Sequence, residues 1–139
     1  MPTRKPKLVE LQSVDANQLP WEETPSPLAQ VKVLMFRDDV LVRLHKFDPG
    51  IYEIPHKHGF WQLRYILEGE FILNEKKFGP GSLVDFPENI IYEIKSETGG
   101  SWLSLQLKGP KTGIAPSDPY GFSYDFQKNR APESRRLKS

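Results

Sequence analysis

His56 and His58 are two of the three histidines in the chain, and a single residue separates them. On an extended strand, positions i and i+2 project to one face. The pair therefore predicts two imidazoles aimed at one point, the arrangement a metal ion requires. Imidazole suits iron, zinc, copper, nickel and manganese to differing degrees. Gln62 follows at the head of a strand-forming run, and Arg64 shares its parity, with Leu63, Tyr65 and Leu67 on the other face. Tyr52 has the parity of His56 and His58 if the strand carries no bulge, and is then expected to line the same cavity. A buried Arg64 needs an anionic or well-placed polar partner. That partner is either a substrate carboxylate or an internal group such as Asp85, the internal salt bridge being the simpler expectation.

These residues need short strands to hold them, and the chain supplies them. Thirteen prolines and ten glycines punctuate brief apolar runs, which is the pattern of many strands joined by turns. Residues 7–14 read as an edge strand. Residues 15–30 hold Pro20, Trp21, Pro25 and Pro27 and read as a loop or arm, with Leu19-Pro20-Trp21 packed on a barrel or on a partner chain. Strands are expected at 31–37, 40–47, the His-x-His segment, 61–67, 71–74, 83–86, 90–95 and 102–108. Turns are expected at Asp38-Asp39, Asp48-Pro49-Gly50, Glu68-Gly69-Glu70 and Pro87-Glu88-Asn89, with a hairpin tip at Glu75-Lys76-Lys77. His45 is expected on the surface or in a barrel wall. Phe122, Tyr124 and Phe126 alternate as an interface stripe would. The predicted organisation is an N-terminal arm over 1–30, a barrel over 31–109 and a C-terminal extension over 110–139, partly disordered.

The stretch from Gly50 to Gly69 resembles the first motif of the cupin superfamily, which is Gly, five residues, His-x-His, three or four residues, Glu, six residues, Gly. Gly50, His56, His58 and Gly69 fall on that pattern, and Gln62 stands where the family has its glutamate. A second motif follows, with Pro80-Gly81 and Pro87 in place and Tyr92 where the third metal histidine is expected. The resemblance covers residues 31–109. It implies an all-β fold, a small double-stranded β-helix or jelly-roll barrel. It also implies a metal set of His56, His58, Gln62 and Tyr92 around a divalent ion, iron first, with Zn, Mn, Ni or Cu as alternatives. Gln62 offers only a neutral carbonyl oxygen. Tyr92 ligates only as phenolate, with a reference pKa of about 10 that the metal must overcome. Short segments around Trp21, Val31 and Leu107-Lys-Gly109-Pro110 are similar to the single-domain branch of ChrR-like anti-sigma cupins and diketone-cleaving dioxygenases.

Composition bounds the function. A length of 139 residues and 37% hydrophobic content suit one domain. A net charge of +1 argues against a general nucleic-acid or acidic-membrane surface. Cysteine is absent, which excludes disulfides, thiolate zinc sites and a cysteine nucleophile. No apolar run reaches membrane-spanning length and no signal-peptide core is present, so a cytoplasmic protein is expected. The leading reading is a metal-dependent, dioxygenase-type oxidoreductase acting on a small chelating diketone- or enol-like substrate. In that reading Tyr92 and Arg64 are catalytic, and Arg64 and Tyr52 bind substrate. A non-catalytic ligand or metal sensor and a metal-free isomerase or lyase are the alternatives. A homodimer is the expected assembly.

Overall fold

The computed structural model describes residues 4–108. After a 3-10 turn at Ala16–Gln18, ten strands follow. They are β1 (Glu22–Glu23), β2 (Ala29–Arg37), β3 (Val40–Phe47), β4 (Ile51–His56), β5 (Trp61–Gly69), β6 (Phe71–Leu73), β7 (Lys76–Phe78), β8 (Leu83–Phe86), β9 (Tyr92–Ser96) and β10 (Gly100–Leu107). Every pairing is antiparallel. One sheet runs β1-β2-β3-β10-β5-β8 and the other β4-β9-β6-β7. The non-sequential order places β10, the last strand, between β3 and β5.

Turn chemistry sets the hairpins. Asp38 and Asp39 both take positive φ (51° and 62°), the two-residue loop whose twist matches β2 and β3. Asn74 and Glu75 do the same at φ 47° and 71°. The hairpin tip therefore lies one residue earlier than expected, and Lys76 and Lys77 belong to β7. Residues 7–14 form no strand, and Leu8 and Leu11 are 88% and 83% exposed. Trp21 packs on the barrel wall as expected, with Lys32 Nζ 4.5 Å and Lys46 Nζ 4.7 Å from its ring centroid. Phe122, Tyr124, Phe126 and the rest of the expected C-terminal extension lie outside the described residues.

Alternation sends one residue set of each strand inward. Ala29, Phe47, Ile51, Ile66, Phe71, Leu73, Phe86, Tyr92, Ile94 and Trp102 form one core. Phe47, Phe71 and Trp102 pack at centroid separations of 4.5–5.5 Å. Fully burying such a side chain stabilises the fold by roughly 1.5–3 kcal/mol. Beside this cluster a set of polar side chains is also buried, among them Glu53, His56, Gln62, Arg64, Ser104 and Gln106.

Candidate functional site

Three neighbouring strands build one wall of that polar interior. In register across β3, β10 and β5 lie Arg43, Ser104 and Arg64; the next inward row holds Leu41, Gln106 and Gln62. Gln62, Arg64, Ser104 and Gln106 are all buried. Arg64 is held on both sides. Its Nη2 donates to Gln62 Oε1 at 2.6 Å and to Tyr92 Oη at 2.9 Å. Its guanidinium carbon lies 4.4, 4.8 and 5.1 Å from the ring centroids of Phe86, Trp102 and Tyr92. Nε and Nη1 have no acceptor among the described residues. The expected salt bridge to Asp85 does not form. Asp85 pairs in register with Leu63 on the outward parity of β5, and its Oδ1 accepts from Trp61 Nε1 at 2.6 Å.

The opposite wall comes from β4 and β9. Glu53 pairs with Ile94, and His56 with Tyr92, so three steps along β4 match two along β9. The extra residue is a bulge at Ile54-Pro55, where proline's missing N–H does no harm. The bulge resets parity. Glu53 and His56 both turn inward, while Tyr52 turns outward, where its Oη donates to Glu93 Oε2 at 3.1 Å. Tyr52 therefore does not line the interior, contrary to expectation, and Glu53 takes its place. Pro55 inside a strand was the signal that could have revealed the exchange.

His56 ends β4, and His58 lies beyond it in the loop to β5, so strand alternation does not align them. The loop does so instead: Asn89 N–H donates to the His58 carbonyl at 2.7 Å and holds that backbone in place. The two rings are 5.5 Å apart and perpendicular, both buried, with Tyr92 4.3 Å from His56 and 5.9 Å from His58. The Nδ1 of His56 meets the Ile54 carbonyl at 2.6 Å, which makes Nδ1 the donor and puts the ring's lone pair on Nε2. His45, on β3, is half-buried, with Nε2 3.0 Å from Ser104 Oγ, and stacks with Phe47.

Burial governs the charge states. It lowers His56 to about 4, opposed by the bond to Ile54 and assisted by Arg64. It lowers His58 to about 2, with His56, Arg64 and Arg43 adding to the effect. His45 falls well below its ordinary value for the same reason, so all three imidazoles are neutral. Burial also raises Glu53 to about 7 against the pull of Arg64, and raises Tyr92 in spite of Arg64. Arg43 falls to about 10 through burial and repulsion by Arg64, and stays charged at neutral pH. The interior thus combines two cations, neutral imidazoles, a neutral phenol and one carboxyl whose pKa burial has raised.

This donor set does not fit a resident divalent cation. Among the described residues no group of three or more His, Cys, Asp or Glu side chains is placed to hold one. Gln62 Oε1 and Tyr92 Oη, the two further ligands implied by the cupin motif, already accept from Arg64. A cation bound by His56 and His58 would thus sit beside a guanidinium with no carboxylate ligand to offset either charge.

Two antiparallel sheets packed on one core, with a buried polar cluster beside it, define a class: the chain has the cupin jelly-roll fold. Solved structures agree. An RmlC-like cupin from Shewanella frigidimarina superimposes with a TM-score of 0.68 at 20% identity, covering 76% of this chain and 97% of that one. The polyketide cyclase RemF from Streptomyces resistomycificus gives 0.65 at 17% identity, covering 93% and 100%. The anti-sigma factor ChrR of Rhodobacter sphaeroides, in complex with SigE, gives 0.56 at 18% identity, covering 66% and 50%. No family model and no curated protein sequence matches the chain. No helix among the described residues is long and apolar enough to cross a membrane.

Proposed function

We propose that the barrel interior binds a small organic anion, a carboxylate or an enolate, with Arg64 as its anchor and His56, His58 and Glu53 around it. One observation carries this reading: two N–H groups of a buried guanidinium lack an acceptor among the described residues. Buried guanidinium donors without acceptors are costly, and an anionic guest would remove that cost by accepting from them. Arg43, level with Arg64 across Ser104, adds a second positive charge to the same wall. Isothermal titration with malonate, a small dicarboxylate, tests the proposal. Binding by the wild type that weakens at least tenfold in Arg64→Met supports it, and equal binding by both proteins refutes it.

A wider reading has one specific observation in its favour. The His56 Nδ1 bond to the Ile54 carbonyl orients the ring as metal-ligating histidines are oriented by their backbone partners. It supports a dioxygenase-type enzyme acting on a diketone- or enol-like chelator. Oxygen uptake with a panel of 1,3-diketones in the presence of added iron tests it. Ligand binding with no uptake across the panel would identify a sensor instead.

A further inference from the structure

An antiparallel sheet with one solvated face turns its apolar side chains to the core and its polar ones to water. Along β3, β10 and β5 this alternation is inverted. Inward positions carry Arg43, Ser104, Gln106, Gln62 and Arg64. Outward positions form apolar rows across the same strands. Val42, Leu105 and Leu63 make the central row, with Leu44, Leu103 and Tyr65 on one side of it and Val40, Leu107 and Trp61 on the other. Met35 carries the central row onto β2, and Leu83 carries the Tyr65 row onto β8. None of these side chains is fully buried, and Tyr65 and Leu83 are 42% and 62% exposed. The other sheet is dressed differently. Its outer face has the row Tyr52, Lys95, Ile72 and Lys77. Glu93 on that face pairs with Lys95 at 3.3 Å and accepts from Tyr52 at 3.1 Å. One outer face is made for water and the other is not.

We propose that the outer face of β3, β10 and β5 is the surface through which two copies of this chain associate. The rows are balanced about β10, so a two-fold axis through that strand lays apolar rows on apolar rows, as a self-complementary interface requires. Sheets pack face to face in this manner about 10 Å apart. The size fits as well. Strands about 4.8 Å apart, with about 3.3 Å per residue, give the patch from β2 to β8 an area of roughly 500 Å². A standard interface buries about 800 Å² per partner, and homodimer interfaces are about 65% apolar. Charge stands at the edge of the patch. Lys46 and Glu68, of opposite sign, line a groove of about 580 Å³ beside Trp21, Leu44 and Leu67. Asp85, on the edge strand β8, accepts from Trp61 Nε1. Trp61 and Tyr65 supply the aromatic anchors that dominate interface energetics.

Sedimentation velocity of the full chain across the micromolar range reads the assembly. The wild type should sediment at the mass of two chains. Leu105→Glu, at the centre of the patch, should weaken association about a hundredfold, because facing carboxylates would lose water without gaining a partner. Ile72→Glu, on the outer face of the other sheet, should leave association unchanged. Circular dichroism and thermal melts establish that both variants are folded. The absence of cysteine permits a second measurement that needs no disruptive substitution. The thiol introduced by Val42→Cys, close in size to the native side chain, should react slowly with a maleimide at high protein concentration and faster on dilution. A wild type that stays monomeric throughout overturns the proposal. So does a dimer that folded Leu105→Glu leaves intact, or a thiol reactivity that does not change on dilution. Protection at every concentration would assign the cover to a segment of the chain's own.

Discussion

Arg64 of β5 and Tyr92 of β9 belong to different sheets, and a 2.9 Å hydrogen bond from Nη2 to the phenol oxygen joins them across the barrel. The same nitrogen reaches Gln62 Oε1, so one N–H₂ group serves two acceptors while Nε and Nη1 meet none among the described residues. A structural ion pair would use the whole guanidinium. This one uses a single corner of it, and its remaining nitrogens pack among the rings of Phe86, Trp102 and Tyr92.

Arg64→Met should therefore separate stability from binding. Removing a buried, under-satisfied cation relieves its desolvation cost, while Gln62 and Tyr92 each lose a donor. The net change in unfolding free energy should lie between neutral and a gain of about 2 kcal/mol. Urea denaturation of the ligand-free protein measures it. A loss of more than about 2 kcal/mol would mean that Arg64 is a structural strut.

Tyr92→Phe removes one acceptor and leaves the ring packing with Phe86 and His56 intact. It should cost about 1–2 kcal/mol, the usual effect of leaving a buried partner of a charged hydrogen bond unsatisfied. Thermal unfolding should show a lower midpoint. An unchanged midpoint would mean that the Arg64–Tyr92 bond is energetically silent.

Glu53 makes stability depend on pH. Its folded value of about 7 lies above the ordinary carboxylate value of 4.5, so between them the folded chain holds a proton that the unfolded chain releases. That contribution is complete below about 4.5, falls as pH rises and is lost above about 7. Glu53→Gln should therefore stabilise the protein above pH 7, by up to about 3 kcal/mol, and have little effect below pH 4.5. The groups acting on Glu53 are Arg64, which opposes the shift, and Tyr92, which is itself raised by Glu53. His56 and His58 act in the other direction: both are lowered, so their unfolded forms take up protons first and stability falls as pH drops below about 6.5. Denaturation of wild type and variant from pH 4 to 8 measures the difference. A constant offset across that range would count against a buried Glu53.

Gly69 pairs with Gly100 at the end of β5, at φ 82°, and a Cβ there would strike the carbonyl oxygen of Gly99. Gly69→Ala should cost at least about 2 kcal/mol through strain and displaced backbone. Gly79→Ala, where a Cβ meets nothing within 4 Å, should be nearly neutral. Paired urea melts compare the two, and equal effects would contradict the close approach of the β5–β10 corner.

Much of this molecule was legible in local chemistry. Asp38-Asp39 and Asp48-Pro49-Gly50 marked turns because the residues themselves limit φ and ψ. Alternation along β5 placed Gln62 and Arg64 together on the inner face because that strand runs unbulged from 61 to 66. Spacing brought His56 and His58 into one neighbourhood, although a loop rather than a strand aligns them. Other features depended on partners distant in the chain. One extra residue in β4 exchanged Tyr52 for Glu53, because side-chain parity restarts at a bulge and the partner strand decides whether the bulge forms. Asp85 turned away from Arg64 through its register with Leu63. His45 met Ser104, 59 residues later, only because β10 inserts between β3 and β5. Residue types determined which groups this protein can offer a guest. Cross-strand register, which sums weak contacts over the whole barrel, decided which of them face it.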